Sequence, residues 1–313
     1  MKNGFIKAAA ASPELRVADV KFNTDKSIEC IKKAAENGAK LIVLPELGLT
    51  AYTCGDLFLQ SSLTGLAEEE LIRLAEETAE LDILSVVGLP ISKNGKLYNC
   101  AAFVKDGEVL GFVPKSNIPN YSEFYEVRHF NVAGANTEVM FGGRLIPMGA
   151  KMIFSAENME GFAVSAEICE DLWTAAPPSC EHTKNGAVII VNQSASDEVI
   201  GKSDWRRKMI EVHSSKAACA YIYADAGEGE STTDMTFSGN NLIFELGTKL
   251  AEAPLFSEGI IYADIDTEKI LQERRRVSSF RNGEDSGYKH IYFKTAVEET
   301  RLDRGFERQP FVP

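Results

Sequence analysis

Leu41-Ile42-Val43-Leu44 is an apolar run with no polar residue between its members, the pattern of a strand covered on both faces. Gly4 to Ala11, Ser85 to Gly88, Phe162 to Ile168, Ala187 to Val191 and Tyr221 to Ala224 are strand-like too. Helical periods separate several of them. Asn23-Thr24-Asp25 offers N-cap chemistry for a helix with Ile28, Ile31, Ala34 and Ala35 on one face, closing on Asn37-Gly38. Thr64 is the expected cap of a second helix through about residue 80, with Leu71, Leu74, Ala75 and Ala79 facing inward. Two further helices are predicted over roughly 204–218 and over 267–276, the latter ending in Arg274-Arg275-Arg276. Residues 98–104 and 108–113 flank Asp106-Gly107, a strong hairpin signal. The segment 116–150, rich in Pro, Gly and Asn, reads as a long ordered loop, and 242–244 with 260–263 as a late meander. Strands alternating with helices predict α/β layers, and without a low-complexity linker or a repeat period one large domain is the simplest organisation.

Composition narrows the partners. Of 313 residues, 33 are Lys or Arg and 46 are Asp or Glu, and the net charge of −13 disfavours a surface for nucleic acid or anionic lipid. A small-molecule partner is favoured, and the arginine triplet reads as a solvated or interface face. Cysteines 30, 54, 100, 169, 180 and 219 form no CxxC pair, which suggests reduced thiols rather than a zinc site or a disulfide framework. The N-terminus lacks an apolar signal core and no run of about 18 apolar residues occurs, so a cytoplasmic location with no membrane contact is expected. His129, His182, His213 and His290 have no metal-binding spacing, and there is no phosphate-binding glycine motif.

Three strand-like segments end in chemically active side chains: Glu46, Lys115 and Cys169. Strand ends of α/β sheets are where catalysis usually gathers. Each residue has a plain alternative, as a strand-end carboxylate, a solvated charge and a buried structural thiol respectively.

The words around them carry more. LIVLPELGLTAYTCGDLF at 41–58, GFVPKSNIPNYSEFYEVRHF at 111–130 and AVSAEICEDLW at 163–173 resemble the signature blocks of the nitrilase, or carbon–nitrogen hydrolase, superfamily. VNQSASDEVIGKSDWRR at 191–207 and FERQPFVP at 306–313 make the chain most similar to the glutaminase domain of glutamine-dependent NAD synthetases. The resemblance implies a four-layer α-β-β-α sandwich and association into homo-oligomers. It also implies hydrolysis of the glutamine side-chain amide, with Cys169 as nucleophile, Glu46 as proton carrier and Lys115 steadying the oxyanion. These are the parts that amide hydrolysis needs. A cation beside the thiol should favour thiolate.

By the same resemblance Glu123 matches a second, supporting glutamate, Tyr121 and Phe124 line the glutamine pocket, Glu170 meets the α-amino group, and Ser196 and Lys202 lie near the α-carboxylate. The glutaminase reaction would need no metal or other cofactor. ATP and magnesium belong to a synthetase domain whose pyrophosphate loop has no counterpart here. The expected organisation is a hydrolase domain over 1–305, with 306–313 beginning a linker to that partner domain. An amidase of another small amide, or a catalytically idle interaction module, are the alternatives.

Overall fold

Both faces of the central strands are covered, as their unbroken apolar runs require. The structure, a computed structural model, describes all residues except 133, 231–233, 281–282, 284–286 and 307–313. In chain order the first half contains β1 (Phe5–Ser12), α1 (Val20–Glu36), β2 (Leu41–Val43), α2 (Ser61–Glu77), β3 (Leu84–Lys93), β4 (Lys96–Lys105), β5 (Glu108–Pro114), β6 (Thr137–Phe141) and β7 (Arg144–Met148). The second contains β8 (Met152–Ala156), β9 (Ala163–Ile168), α3 (Ser179–Lys184), β10 (Ile189–Ser194), α4 (Lys202–Lys216), β11 (Ala220–Asp225), β12 (Leu242–Glu245), β13 (Thr248–Glu252), β14 (Gly259–Asp266), α5 (Thr267–Arg276) and β15 (Lys289–Phe293). They build an eight-stranded sheet, β14-β1-β2-β3-β4-β5-β7-β6, and a seven-stranded sheet, β13-β12-β11-β10-β9-β8-β15.

Alternate residues divide two cores. Ile6, Ala8, Ala10, Leu41, Val43 and Phe103 pack in one cluster with Phe154, Val164, Ala166 and Ile190 of the second sheet. Phe103 and Phe154 stack across the layers with ring centroids 3.7 Å apart. Ala9, Ala11, Ile42 and Ala102 instead join Ile31, Ala34, Leu71 and Leu74 of α1 and α2. Helices α3 and α4 contact the second sheet, which completes the α-β-β-α sandwich. In each sheet three adjacent strands run parallel, β1-β2-β3 and β9-β10-β11, so their carboxyl ends open on neighbouring loops.

Several local expectations shift. Helix α1 begins earlier, capped by Asp19, whose side chain accepts from Phe22 N at 3.2 Å. Asn23 is inside the helix, where its amide bonds the backbone of Arg16 and the carbonyl of Leu49. Helix α2 likewise starts at Ser61, ahead of Thr64. The Asp106-Gly107 hairpin forms with both residues at positive φ, 51° and 80°, as its tight turn requires. The segment 116–150 is not all loop: β6 and β7 pair antiparallel within it across Gly142-Gly143. Nor is the late meander continuous, because β14 crosses to the first sheet and pairs antiparallel with β1 from Phe5↔Asp266 to Ser12↔Gly259. Arg274 is no solvated cation either, since its guanidinium bonds the Ala218 and Ala187 carbonyls at 2.8 and 2.7 Å. The chain beyond β15 lies against β1, β14 and the end of β12, with Phe306 edge-on to Phe5, the Asp303 N–H on Asp264 at 2.6 Å and Arg304 on Glu245. Residues 307–313, most of the expected linker, are outside the described residues. Among the described residues no helix is long and apolar enough to cross a membrane.

Candidate active site

Glu46 follows β2 by three residues and is fully buried. Its Oε1 accepts from Asn99 Nδ2 at 2.6 Å and Lys115 Nζ at 2.7 Å, and its Oε2 from the Ala195 amide at 2.9 Å. Donors therefore arrive from both sheets, β4 and the exit of β5 on one side and the exit of β10 on the other. The backbone here passes against Gly88 of β3, where a Cβ would stand 2.4 Å from both Leu47 N and Pro45 O. Gly88→Ala is accordingly expected to cost about 2 kcal/mol of stability through overpacking and to displace Glu46, measurable as a lower urea midpoint together with lost activity.

Lys115, also fully buried, leaves β5 with its N–H on the Asn99 carbonyl at 2.8 Å. Its ammonium lies between Glu46 at 2.7 Å and Glu126 at 2.6 Å. Burial pulls its pKa down, but Glu126 and Glu46 together carry it well above the ordinary lysine value. The lysine stays charged. Glu126 also accepts from the Tyr52 hydroxyl at 2.7 Å, and burial holds its carboxyl above the usual range against the pull of Lys115.

The carboxylate facing Lys115 is thus Glu126 and not Glu123. Glu123 lies three residues earlier on the same loop, half-buried, and lines a small cavity with Tyr52, Phe58 and Tyr125. Nothing periodic in 116–136 distinguishes the two acids. Asn99 carried a clearer sign, as an amide set among the mostly apolar residues 97–104 between the terminal lysines of β4.

Cys169 begins a 3-10 turn directly after β9 with φ at +43°, a left-handed conformation that non-glycine residues rarely hold. Its N–H donates to Asn192 Oδ1 at 3.0 Å, which fixes this elbow on β10. The first N–H groups of such a turn have no acceptor within it, and Glu170 N is among them. Burial, then Glu46, pushes the thiol well above its ordinary value, outweighing Lys115, which acts the other way. Lys115 does favour thiolate, as expected, but burial and Glu46 outweigh it and hold the group toward the thiol form. Two carboxylates stand around one ammonium beside it, and the thiol is buried.

The remaining candidates form a rim beside Cys169. Tyr121 donates to Glu170 at 2.8 Å and meets Phe124 edge-on, centroids 5.9 Å apart. The Lys202 ammonium lies over the rings of Phe124 and Trp173, at 5.8 and 5.5 Å, and pairs with Asp197. Glu170 and Lys202 thus present one anion and one cation along a shared aromatic wall. Ser196 is set deeper: its N–H is on Asp225 at 2.9 Å and its hydroxyl accepts from buried Arg206 at 3.4 Å.

The sequence model for carbon-nitrogen hydrolases matches residues 7–275. The chain belongs to that family. Across its full length this carbon-nitrogen hydrolase is 36% identical over 323 residues to the glutamine-dependent NAD(+) synthetase of Mycobacterium tuberculosis, of which it covers 48%. The Thermotoga maritima protein of the same name is 29% identical over 289 residues, with 90% of this chain and 46% of that one aligned. The chain spans about half the length of these curated relatives. Among solved structures, a glutamine-dependent NAD(+) synthetase from Cytophaga hutchinsonii superimposes with a TM-score of 0.75 and 29% identity, over 84% of this chain and 43% of that one. A nitrilase-superfamily amidase from Nesterenkonia shares the fold at a TM-score of 0.67 and 19% identity, over 88% of this chain and 95% of that one.

Proposed function

We propose that this carbon-nitrogen hydrolase splits the side-chain amide of glutamine into glutamate and ammonia through a thioester on Cys169. The observation that carries the glutamine reading is the Glu170 and Lys202 pair beside the nucleophile, since a zwitterionic amino acid asks for one anion and one cation at its head. The likeness to glutamine-dependent NAD(+) synthetases over the whole chain supports it. Tyr121 and Phe124 would bound the aliphatic part, with Ser196 close to the carboxylate.

The chemistry assigns one task to each buried group. As Sγ attacks the amide carbon its proton passes to Glu46. Oε1 of that carboxylate already holds two donors and Oε2 one, so Oε2 is the oxygen free to take it. The carbonyl oxygen becomes an oxyanion held by Lys115 Nζ and the Glu170 N–H. Collapse breaks the C–N bond while Glu46 returns the proton to nitrogen, and ammonia leaves. A water then loses a proton to Glu46, adds to the thioester, and releases glutamate with the thiol restored. Glu126 keeps Lys115 cationic throughout. No step calls for a metal or organic cofactor, and the ammonia would serve a partner synthetase domain that amidates its own substrate with ATP.

Glutamate release from glutamine, together with intact mass after exposure to a glutamine-mimicking electrophile, tests the reading. A single adduct and glutamate release are expected. Adducts from simple aliphatic amides but none from the mimic would turn the assignment to another amidase, and no labelling of the folded protein would leave an interaction module. Lys202→Met is expected to raise KM for glutamine roughly ten- to hundred-fold, the value of a charge-assisted contact, with kcat within about threefold. A change confined to kcat would remove Lys202 from the substrate site.

A further inference from the structure

We propose that Asp171 is a positioning residue that holds Lys115 and Cys169 in register, one buried carboxylate gripping the backbone beside each of them. Its Oδ2 accepts from Ile168 N at 2.9 Å and Ser116 N at 3.3 Å, and its Oδ1 from Asn117 N and Asn117 Nδ2, both at 2.8 Å. Ile168 immediately precedes the nucleophile and Ser116 immediately follows the lysine. Ile168 is the last residue of β9 and Ser116 lies two residues past the end of β5, strands of different sheets that share no ladder. The oxyanion described above must meet a donor from each side at once, Lys115 Nζ from the first sheet and Glu170 N–H from the second. Asp171 is the side chain that bonds both margins of that gap.

A local cap would need only the Ile168 bond, made three residues back along the chain. The three donors from 116–117 come from 54 and 55 residues away, which gives the carboxylate a tertiary task. It is 1% exposed, its own carbonyl is anchored by the Thr174 hydroxyl at 2.9 Å, and burial raises its pKa only to about 6, so it is anionic at neutral pH. Four donors on a charged acceptor make a stiffer tie than neutral contacts would.

This role rests on the thioester reading, and the test separates the two. Acylation of Cys169 by p-nitrophenyl acetate passes through an oxyanion but needs no glutamine recognition, whereas alkylation by iodoacetamide needs no oxyanion. In the full chain D171N is expected to slow acylation about ten- to hundred-fold, the scale of a misplacement near 1 Å, and to leave alkylation within about threefold. KM for glutamine should stay within about twofold, since the rim residues are untouched. Equal slowing of acylation and alkylation would show a merely structural residue, and unchanged acylation would remove the role altogether. A wild-type chain acylated by the ester but inert to glutamine would sink the substrate reading while the D171N comparison still stands. Should D171N fail to fold, N117A removes a single donor: acylation slower by about threefold with alkylation unchanged supports the tie, and unchanged acylation overturns it.

Discussion

Cys169→Ala is expected to lower glutamine hydrolysis by about 10⁴-fold or more and to abolish the adduct with a glutamine-mimicking electrophile, because no other group at the site can form the acyl intermediate. The rest of the site should survive. Lys115 keeps both carboxylates, Glu46 keeps its three donors, and the elbow is held through the Cys169 backbone N–H rather than its sulfur. The thermal transition should therefore move by only a few degrees, about the effect of removing one small buried atom from a domain this size. Cys169→Ser should be nearly as inactive. The surroundings that raise the thiol, burial and Glu46, disfavour an alkoxide more strongly still. Adduct formation persisting in the alanine variant would place the nucleophile at another cysteine.

The second large effect separates two neighbouring acids. Glu126→Gln is expected to destabilise the fold by about 3 kcal/mol, since it removes one of two counter-charges from a fully buried ammonium. Its kcat should fall by about 10²-fold or more, because a lysine with one carboxylate is a weaker and less fixed electrostatic partner for the oxyanion. Glu123→Gln, on the same loop, is expected to change stability by less than about 0.5 kcal/mol and kcat by less than about threefold. Urea titrations and steady-state rates on the two variants decide it. Loss of activity in Glu123→Gln with Glu126→Gln intact would reverse the assignment.

These two acids show where reading the chain reached its end. Glu46, Lys115 and Cys169 each follow a segment with a clear strand signature, so their placement at strand exits was legible before any coordinates. That they meet depended on two sheets facing each other, with Glu46 taking donors from Asn99 and Lys115 on one side and Ala195 on the other. Glu126 was missed because the loop after Lys115 has neither alternation nor helical period, and an acid at position 123 or 126 looks the same in such a stretch. Asp171 was beyond reach for a related reason. Three of its donors lie 54 and 55 residues away, and side-chain bonds across such separations leave no local pattern. Thr64 and Asn23 failed differently, as good capping residues lying inside helices that begin earlier, the Thr64 hydroxyl on the Ser61 carbonyl and the Asn23 amide on Arg16 and Leu49 outside the helix.

By itself the sequence determined the layered α/β architecture, through apolar runs that had to be covered on both faces, and it put the three reactive residues at strand ends. The tertiary structure alone decided that β14 leaves its neighbours in sequence to pair with β1, that Glu126 is the second carboxylate on Lys115, and that burial and Glu46 push the Cys169 thiol up against the pull of Lys115. The physical reason is range. Burial of a strand face is written in its own residues, whereas the charge state of Cys169 is the sum of desolvation and of carboxylates delivered by segments far along the chain.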